Sequence, residues 1–388
     1  MSTTGTAYDV AVIGAGAVGL AAAWRAGAAG LKVVAIEQGT LFHAKGGSGA
    51  AERQWRYQYS DVESATLVLA AAESWRRLES AVDRRLIHPT GSLWFGDVGH
   101  DTNEGQIIAA AATLETLDLP FEWLDAPTIE KRYGFHALDH KYEGFYQPDG
   151  GVIDVRGTLW ALFDLARATG HVEVLENTSV QAIEPSGHGI QIRTSRGTIA
   201  AVSCVIAAGA HTAGLLRPLG VRTENKIFEM PSAYFRVRDD NIDYPTWFAF
   251  EPPTDTEPGL YYGFGRNPWG ARGLVRVAPD SEAYLLGSPE EATGIPRAEE
   301  MRRLSVWVAR HLPDLDPEPI DASTCLVSLP EEHDRTFHLG RVPGADRIIY
   351  CASGWIYKFV PLLGEICLSL AEGDGLPDHL APLVKAQV

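Results

Sequence analysis

The sequence predicts a two-domain fold of mixed α/β (α+β) character. A Rossmann-like dinucleotide-binding domain is assembled from separated segments, and a β-rich domain is inserted between them. Three observations predict it. The chain opens on an apolar strand, three glycines in G-x-G-x-x-G register and an Ala-rich helix. Helix and strand patterns then interleave to about residue 207. From about 222 to 278 the pattern turns β-rich with many aromatics, before helical patterns return near 298 and 362.

Residues 8–13 run apolar, as a buried parallel strand does. At the turn from Ile13 to Ala17, Gly14 permits a tight bend and Gly16 lets the backbone approach a pyrophosphate. Gly19 lets helix and strand pack closely, and the helix N-terminus faces the phosphate charge. The helix runs to about Ala29, with Gly30 as its stop. The strand "KVVAIE" ends at Glu37, 18 residues beyond Gly19, where a carboxylate accepts hydrogen bonds from an adenosine ribose. The loop "QGTLFHAKGGSGAAE" (38–52) is rich in small residues and suits close passage of a flat cofactor; Gln38, Ser48 and Gly49 are its candidate contacts. No second G-x-G-x-x-G occurs, which points to FAD alone, reoxidised by something other than NAD(P)H.

Val62, Ala65, Leu69, Ala72 and Trp75 recur at helical spacing, so 61–83 is a helix with a core-facing stripe. "TGSLWFG" (90–96) predicts a strand, 104–118 a helix and 156–169 another. Short strands are expected around 172–183, 189–194 and 202–207. "CVIAAGAHT" ends its strand in Gly209, with a helix soon after, and helices are expected over 298–311 and 362–372. The expected domains are 1–85, 150–220 and 321–388 for the cofactor, and 86–149 and 221–320 for the substrate.

Composition narrows the partners. The 388 residues are 45% hydrophobic, enough for a large core. Net charge is −17, from 33 basic and 50 acidic residues, which disfavours nucleic acid and anionic membranes as partners. The first apolar stretch is broken by three glycines and has no basic residue before it, so no signal sequence is read. Cys204, Cys325, Cys351 and Cys367 are not close-spaced, so no metal site is expected, and so few cysteines suit a reducing cytoplasm.

Two cations stand out. Arg56 lies in "AERQWRYQY" with Arg53, Trp55, Tyr57 and Tyr59, too aromatic a run for a plain solvated face. Its alternative role is a structural pair with Glu52. Lys358 lies in the apolar "WIYKFVPLLG", where a lysine is costly unless paired. Fixed cations of this kind suit a carboxylate ligand. Cys325, in "STCLVSLPEEH", has no CxxC partner and no nearby histidine at metal-ligand spacing; from the residues alone it is a small buried hydrophobe.

Nearly end to end, the chain resembles the FAD-dependent amine oxidases related to monomeric sarcosine oxidase, in the D-amino-acid-oxidase-like superfamily. The fingerprint, "AERQWRYQY", "AAGAHT", "TCLVSLPEEH" and "SGWIYKF" carry the likeness. "RRLIHPTGSLWFGD", "TNEGQI", "YEGFYQPDGGVIDVRGTL" and "YGFGRNPW" are similar to the branch that makes picolinate from piperideine-2-carboxylate for nikkomycin, an antibiotic. The resemblance implies a covalent thioether between Cys325 and the flavin ring. It also implies that Arg56 and Lys358 hold the substrate carboxylate, that Arg53 and Lys358 lie by the flavin, and that Val180, Ala208, Gly209 and Gly354 contact the cofactor.

Departures from the sarcosine-oxidase pattern mark the substrate side. Arg276 stands where the family has a lysine implicated in dioxygen activation. Trp355 replaces a smaller residue and suits packing on the substrate ring or the flavin; its alternative role is a core tryptophan. Glu104, Tyr262 and Asp280 are candidates for meeting the ring nitrogen or moving its proton, although "TNEGQI" also reads as a helix start capped by Asn103. The implied activity is a monomeric oxidase that aromatises a small anionic cyclic imino acid in two rounds, with dioxygen as acceptor and hydrogen peroxide as by-product. Alternatives are two-electron oxidation of a secondary amino acid such as sarcosine, pipecolate or proline, a dehydrogenase feeding a quinone or electron carrier, and a non-catalytic flavin sensor.

Overall fold

A computed structural model describes residues 8–377 apart from 188, 224, 239–242, 255–258, 266–268, 271–272, 280–283, 331–336 and 353. Among the described residues, two large sheets and one small one organise the chain.

The first sheet has eight strands. Tyr8–Ile13 lies at its centre, parallel to Val33–Ile36 on one side and Gly197–Ile206 on the other. Val172–Leu175 extends it beyond Val33–Ile36, and Ala345–Cys351 also pairs with Gly197–Ile206. All four residues of Val33–Ile36 are buried, as expected of a strand covered on both faces. The helix Ala17–Ala28 packs against Val155–Ala168 and Val360–Glu372. Its small residues make this approach possible: a Cβ on Gly364 would stand 2.6 Å from the Ala21 Cβ.

The second sheet has nine strands, running from Tyr284–Leu286 through Asn225–Val237, Leu274–Pro279, Leu260–Gly263, Thr246–Phe250, Ser92–Gly96 and Glu143–Gln147 to Glu122–Asp125. The 16-residue strand Leu315–Pro330 lies antiparallel along Asn225–Val237. The helix Ala298–His311 covers this sheet through Trp307, which stacks on Tyr261 at 4.5 Å and on Trp247 at 5.3 Å. The small sheet joins Glu52–Trp55, Gly151–Asp154 and Ile87–His88. It bridges the large ones: Gln54 Nε2 donates to the Trp247 carbonyl (3.2 Å), while Glu52–Trp55 packs on the 3₁₀ turn Ile356–Phe359.

Several expected elements shift. The stretch 172–183 divides into Val172–Leu175 and Val180–Ser186, which pair with different neighbours across a turn where Asn177 takes φ 51. The helix expected from 104 begins at Ile107, because Thr102 and Gly105 close a turn first. Asn103 is therefore not its cap; Gln106 holds that position, without a side-chain hydrogen bond. The segment from 321, assigned above to the cofactor domain, begins inside Leu315–Pro330 and stays in the second sheet as far as Pro330.

Candidate active site

At the carboxyl end of the first sheet, the three fingerprint glycines have distinct surroundings. Gly14 takes φ 95, and a Cβ there would lie 2.6 Å from the Ala207 carbonyl oxygen. A Cβ on Gly19 would lie 1.8 Å from the Gly14 carbonyl oxygen. Gly16 differs: its nearest neighbour would be Ser48 Oγ at 3.5 Å. The space before Gly16 is a cradle that a side chain would partly fill, at the start of the helix Ala17–Ala28. The Ala17 N–H donates to Ser48 Oγ (3.2 Å), fixing the small-residue loop over this turn.

Glu37 completes that end. It accepts hydrogen bonds from the Ala15 N–H (3.0 Å) and the Gly39 N–H (2.9 Å), and His43 Nε2 lies 3.5 Å away. Burial, the largest single influence, pushes its carboxyl up, but hydrogen bonds from His43, Gly39 and Ala15 together hold it below the usual value. An ionised, fixed acceptor suits a ribose. Ala207 N–H bonds the Ile13 carbonyl (2.9 Å), setting Ala208 and Gly209 beside the glycine turn. Thr178 N–H bonds the Glu37 carbonyl (2.8 Å) just before Val180. Gln38 is exposed, while Gly49 is pressed on its own loop, where a Cβ would lie 2.1 Å from the Ala44 carbonyl oxygen. The cradle and the acid fit the adenosine diphosphate half of FAD.

Away from the nucleotide end, Arg53 ties three elements together. Its Nη2 donates to the Gly47 carbonyl (2.5 Å) and lies 3.9 Å from Cys325 Sγ, while its guanidinium is 5.9 Å from the Tyr357 ring. Cys325 is half-buried on Leu315–Pro330, opposite Met230. The segment carrying Lys358 packs on that strand, since a Cβ on Gly354 would stand 2.6 Å from the Ser328 carbonyl oxygen. Lys358 is buried in Ile356–Phe359, and its carbonyl accepts the Trp75 indole N–H (2.6 Å). Trp355, half-buried, precedes this turn at φ 53 and ψ 8, a left-handed conformation costly for a bulky side chain.

The buried charges pair in an order the sequence did not show. Arg56 pairs with Glu104, not with Glu52, and both partners are buried. The Arg56 guanidinium lies 4.9 Å from the Tyr59 ring, 4.9 Å from Trp94 and 5.3 Å from Phe248. Its Nη1 is buried without a hydrogen-bond partner among the described residues. Glu52 instead serves Arg276: its Oε2 lies 3.7 Å from Arg276 Nη1, its carbonyl accepts from the same nitrogen (3.2 Å), and its Oε2 also accepts the Tyr234 hydroxyl (2.7 Å). Burial is the largest influence on Arg276 and disfavours its charge, but Tyr262, Glu52, Tyr234 and Cys325 together hold its pKa above the ordinary value.

A belt of rings joins the two ion pairs. Phe248 lies 5.4 Å from Tyr262, Tyr262 is 6.0 Å from Phe264, and Arg276 is 5.3 Å from the Phe264 ring. The structure thus links Arg56, Glu104, Tyr262, Arg276, Arg53 and Cys325 in one continuous region. Asp280 lies outside the described residues. Tyr234, Trp94 and Phe248 went unremarked in the sequence, where each is one aromatic among many in a strand pattern. Glu52 carried a usable signal, as an acid heading an aromatic run. Among the described residues no cluster suits a metal ion, and no helix is long and apolar enough to cross a membrane.

Comparison with known proteins places the chain in a family. The family model for FAD dependent oxidoreductases matches residues 9–370. Monomeric sarcosine oxidase of Bacillus sp. (strain B-0618) is 25% identical over 94% of this chain and 92% of its own length. A Dictyostelium discoideum protein described as a bifunctional amine oxidase is 29% identical over 94% of this chain, which spans only 36% of that longer protein. The open form of NikD, an unusual amino acid oxidase essential for nikkomycin biosynthesis, superposes with TM-score 0.93 at 44% identity, covering 98% of each chain. The chain belongs to the FAD dependent oxidoreductase family.

Proposed function

We propose that this FAD-dependent oxidoreductase converts a cyclic imino acid, piperideine-2-carboxylate, to picolinate, with dioxygen as acceptor and hydrogen peroxide as by-product. The observation that carries the reading is the buried Arg56–Glu104 pair boxed by Tyr59, Trp94 and Phe248. A charged pair inside an aromatic wall suits a flat ring with an anionic substituent and a nitrogen. The likeness to NikD along nearly the whole chain supports the same substrate class.

Gly14, Gly16, Glu37 and Ser48 hold the nucleotide half of the cofactor, and Cys325 is the point of covalent attachment. Bound FAD supplies electron acceptance and its return to dioxygen. The chain's own groups do the rest. Arg56 and Lys358 fix the carboxylate, so the ring is oriented before electrons move. Glu104 meets the ring nitrogen, with Tyr262 nearby on the same belt. Trp355 packs on the ring. Arg276, buried and held cationic, stabilises negative charge developing on dioxygen. Aromaticity drives the second round, and a carboxylate held by two cations keeps the intermediate bound between rounds.

The test supplies piperideine-2-carboxylate in air and counts peroxide against picolinate. Two peroxides per picolinate, without accumulating dihydropyridine, is the expected result. The sarcosine oxidase relatives favour a second reading, two-electron oxidation of a secondary amino acid. One peroxide per substrate and a non-aromatic product would establish that reading instead.

A further inference from the structure

Both halves of the Arg56–Glu104 pair are buried, and both lie outside regular elements, Arg56 just after Glu52–Trp55 and Glu104 in a turn. The guanidinium is enclosed by Tyr59, Trp94 and Phe248, with every ring centroid within 5.3 Å, and the residue is 2% exposed. Those rings leave it little freedom. Glu104 belongs to no helix or strand. It sits in the turn closed by Thr102 and Gly105, where Gly105 takes φ 102 and the Glu104 main-chain N–H donates to Thr102 Oγ1 (3.1 Å). Its side chain reaches Arg56 through three rotatable bonds. An incoming carboxylate therefore meets a cation boxed by rings and an anion carried on a turn.

Arg56 Nη1 is the second observation. It is buried without a hydrogen-bond partner among the described residues, while Glu104 contacts Nη2. An unmet donor on a buried guanidinium is costly. A ligand carboxylate bound in fork-to-fork geometry satisfies both nitrogens.

We propose that Glu104 is an internal competitor that occupies Arg56 until a ligand carboxylate displaces it. The displaced Glu104 carboxylate then accepts the ring N–H of the same ligand. The site thereby selects molecules that carry a carboxylate beside an N–H, because the anion takes the cation and the N–H takes the freed anion. This rests on the reading above that Arg56 receives the substrate carboxylate.

Calorimetric titration of the holoenzyme with furan-2-carboxylate and pyrrole-2-carboxylate tests it. The first probe has the carboxylate alone, and the second adds the N–H. Glu104→Gln removes the competing charge, so furan-2-carboxylate is expected to bind about tenfold tighter than to wild type. Pyrrole-2-carboxylate gains less, because a neutral amide accepts its N–H more weakly than a carboxylate does. Equal or weaker binding of furan-2-carboxylate to the variant overturns the proposal. Should the variant not fold, the wild-type complex decides. Arg56 bound to the probe and parted from Glu104 supports the exchange, and an intact Arg56–Glu104 pair overturns it. The two readings fail separately. Lack of turnover with piperideine-2-carboxylate leaves the exchange standing, whereas probe binding untouched by Arg56→Met removes both.

Discussion

Arg53 Nη2 stands 3.9 Å from Cys325 Sγ, although 272 residues separate them in the chain. The contact joins the strand Glu52–Trp55, which leaves the small-residue loop, to the long strand Leu315–Pro330 of the second sheet. It sets the thiol beside the segment that follows the nucleotide cradle. Covalent attachment through Cys325 is what the resemblance to the sarcosine-oxidase-related oxidases implies, and it is expected here. Acid-precipitated wild-type protein should stay yellow and a Cys325→Ser pellet should not; a wild-type pellet that bleaches completely would rule the linkage out.

Arg56 and Lys358 are expected to share the ligand carboxylate. A hydrogen bond to a charged group contributes about 1.5–3 kcal/mol, so Arg56→Met and Lys358→Met should each weaken picolinate inhibition roughly ten- to a hundredfold. Unchanged inhibition constants would place the carboxylate elsewhere.

Gly16 and Gly19 should separate cofactor binding from folding. Alanine at 19 drives its Cβ to within 1.8 Å of the Gly14 carbonyl oxygen, which forces backbone to move. Alanine at 16 meets only Ser48 Oγ within 4 Å, at 3.5 Å. Gly16→Ala should keep the thermal midpoint of cofactor-free protein and lower flavin content. Gly19→Ala should lower both, destabilising by about 1–3 kcal/mol. Equal flavin content in Gly16→Ala and wild type would contradict the cradle.

His311 makes stability depend on acid. It is buried at the end of Ala298–His311, its Nδ1 is 3.0 Å from the His136 carbonyl, and burial pushes its pKa down from 6.5 to about 4, with Arg310 adding to the fall. The unfolded chain takes up this proton first. The stabilisation is thus complete above about pH 6.5 and lost as pH falls toward 4, by about 3 kcal/mol. Denaturant unfolding between pH 7 and 4 should show that loss in wild type and a flatter profile in His311→Gln. Identical profiles would discount the residue.

Much of this was legible because local chemistry determined it. The strand at 8–13, the glycine turn, the acid at 37 and the helix over 298–311 each follow from spacing within a few turns of chain. What was illegible depends on partners distant in sequence. Nothing near Arg56 says that its carboxylate comes from Glu104 while neighbouring Glu52 turns to Arg276, for that choice is made by how the small sheet sits against the second one. The strand Leu315–Pro330 was hidden for a similar reason: its first half is polar, and pairing with Asn225–Val237 rather than an apolar pattern defines it.

The pairing of Gly197–Ile206 with both Tyr8–Ile13 and Ala345–Cys351 also fixes an order of birth. On a ribosome the first pairing can form once residue 206 has emerged, but the second must wait for Ile348, the partner of Cys204. At about 5–20 residues per second the interval lasts roughly 7–28 s. Throughout it, the apolar stretch Cys204–Ile206 presents an open edge to other nascent chains nearby, while Gly197–Ala201 on the same edge is already paired with Gly189–Thr194. Chaperone demand and yield in a foreign host should therefore follow the completion of the C-terminal segment, and a transcript that stops short of Ile348 should produce inclusion bodies even though its nucleotide fingerprint is intact.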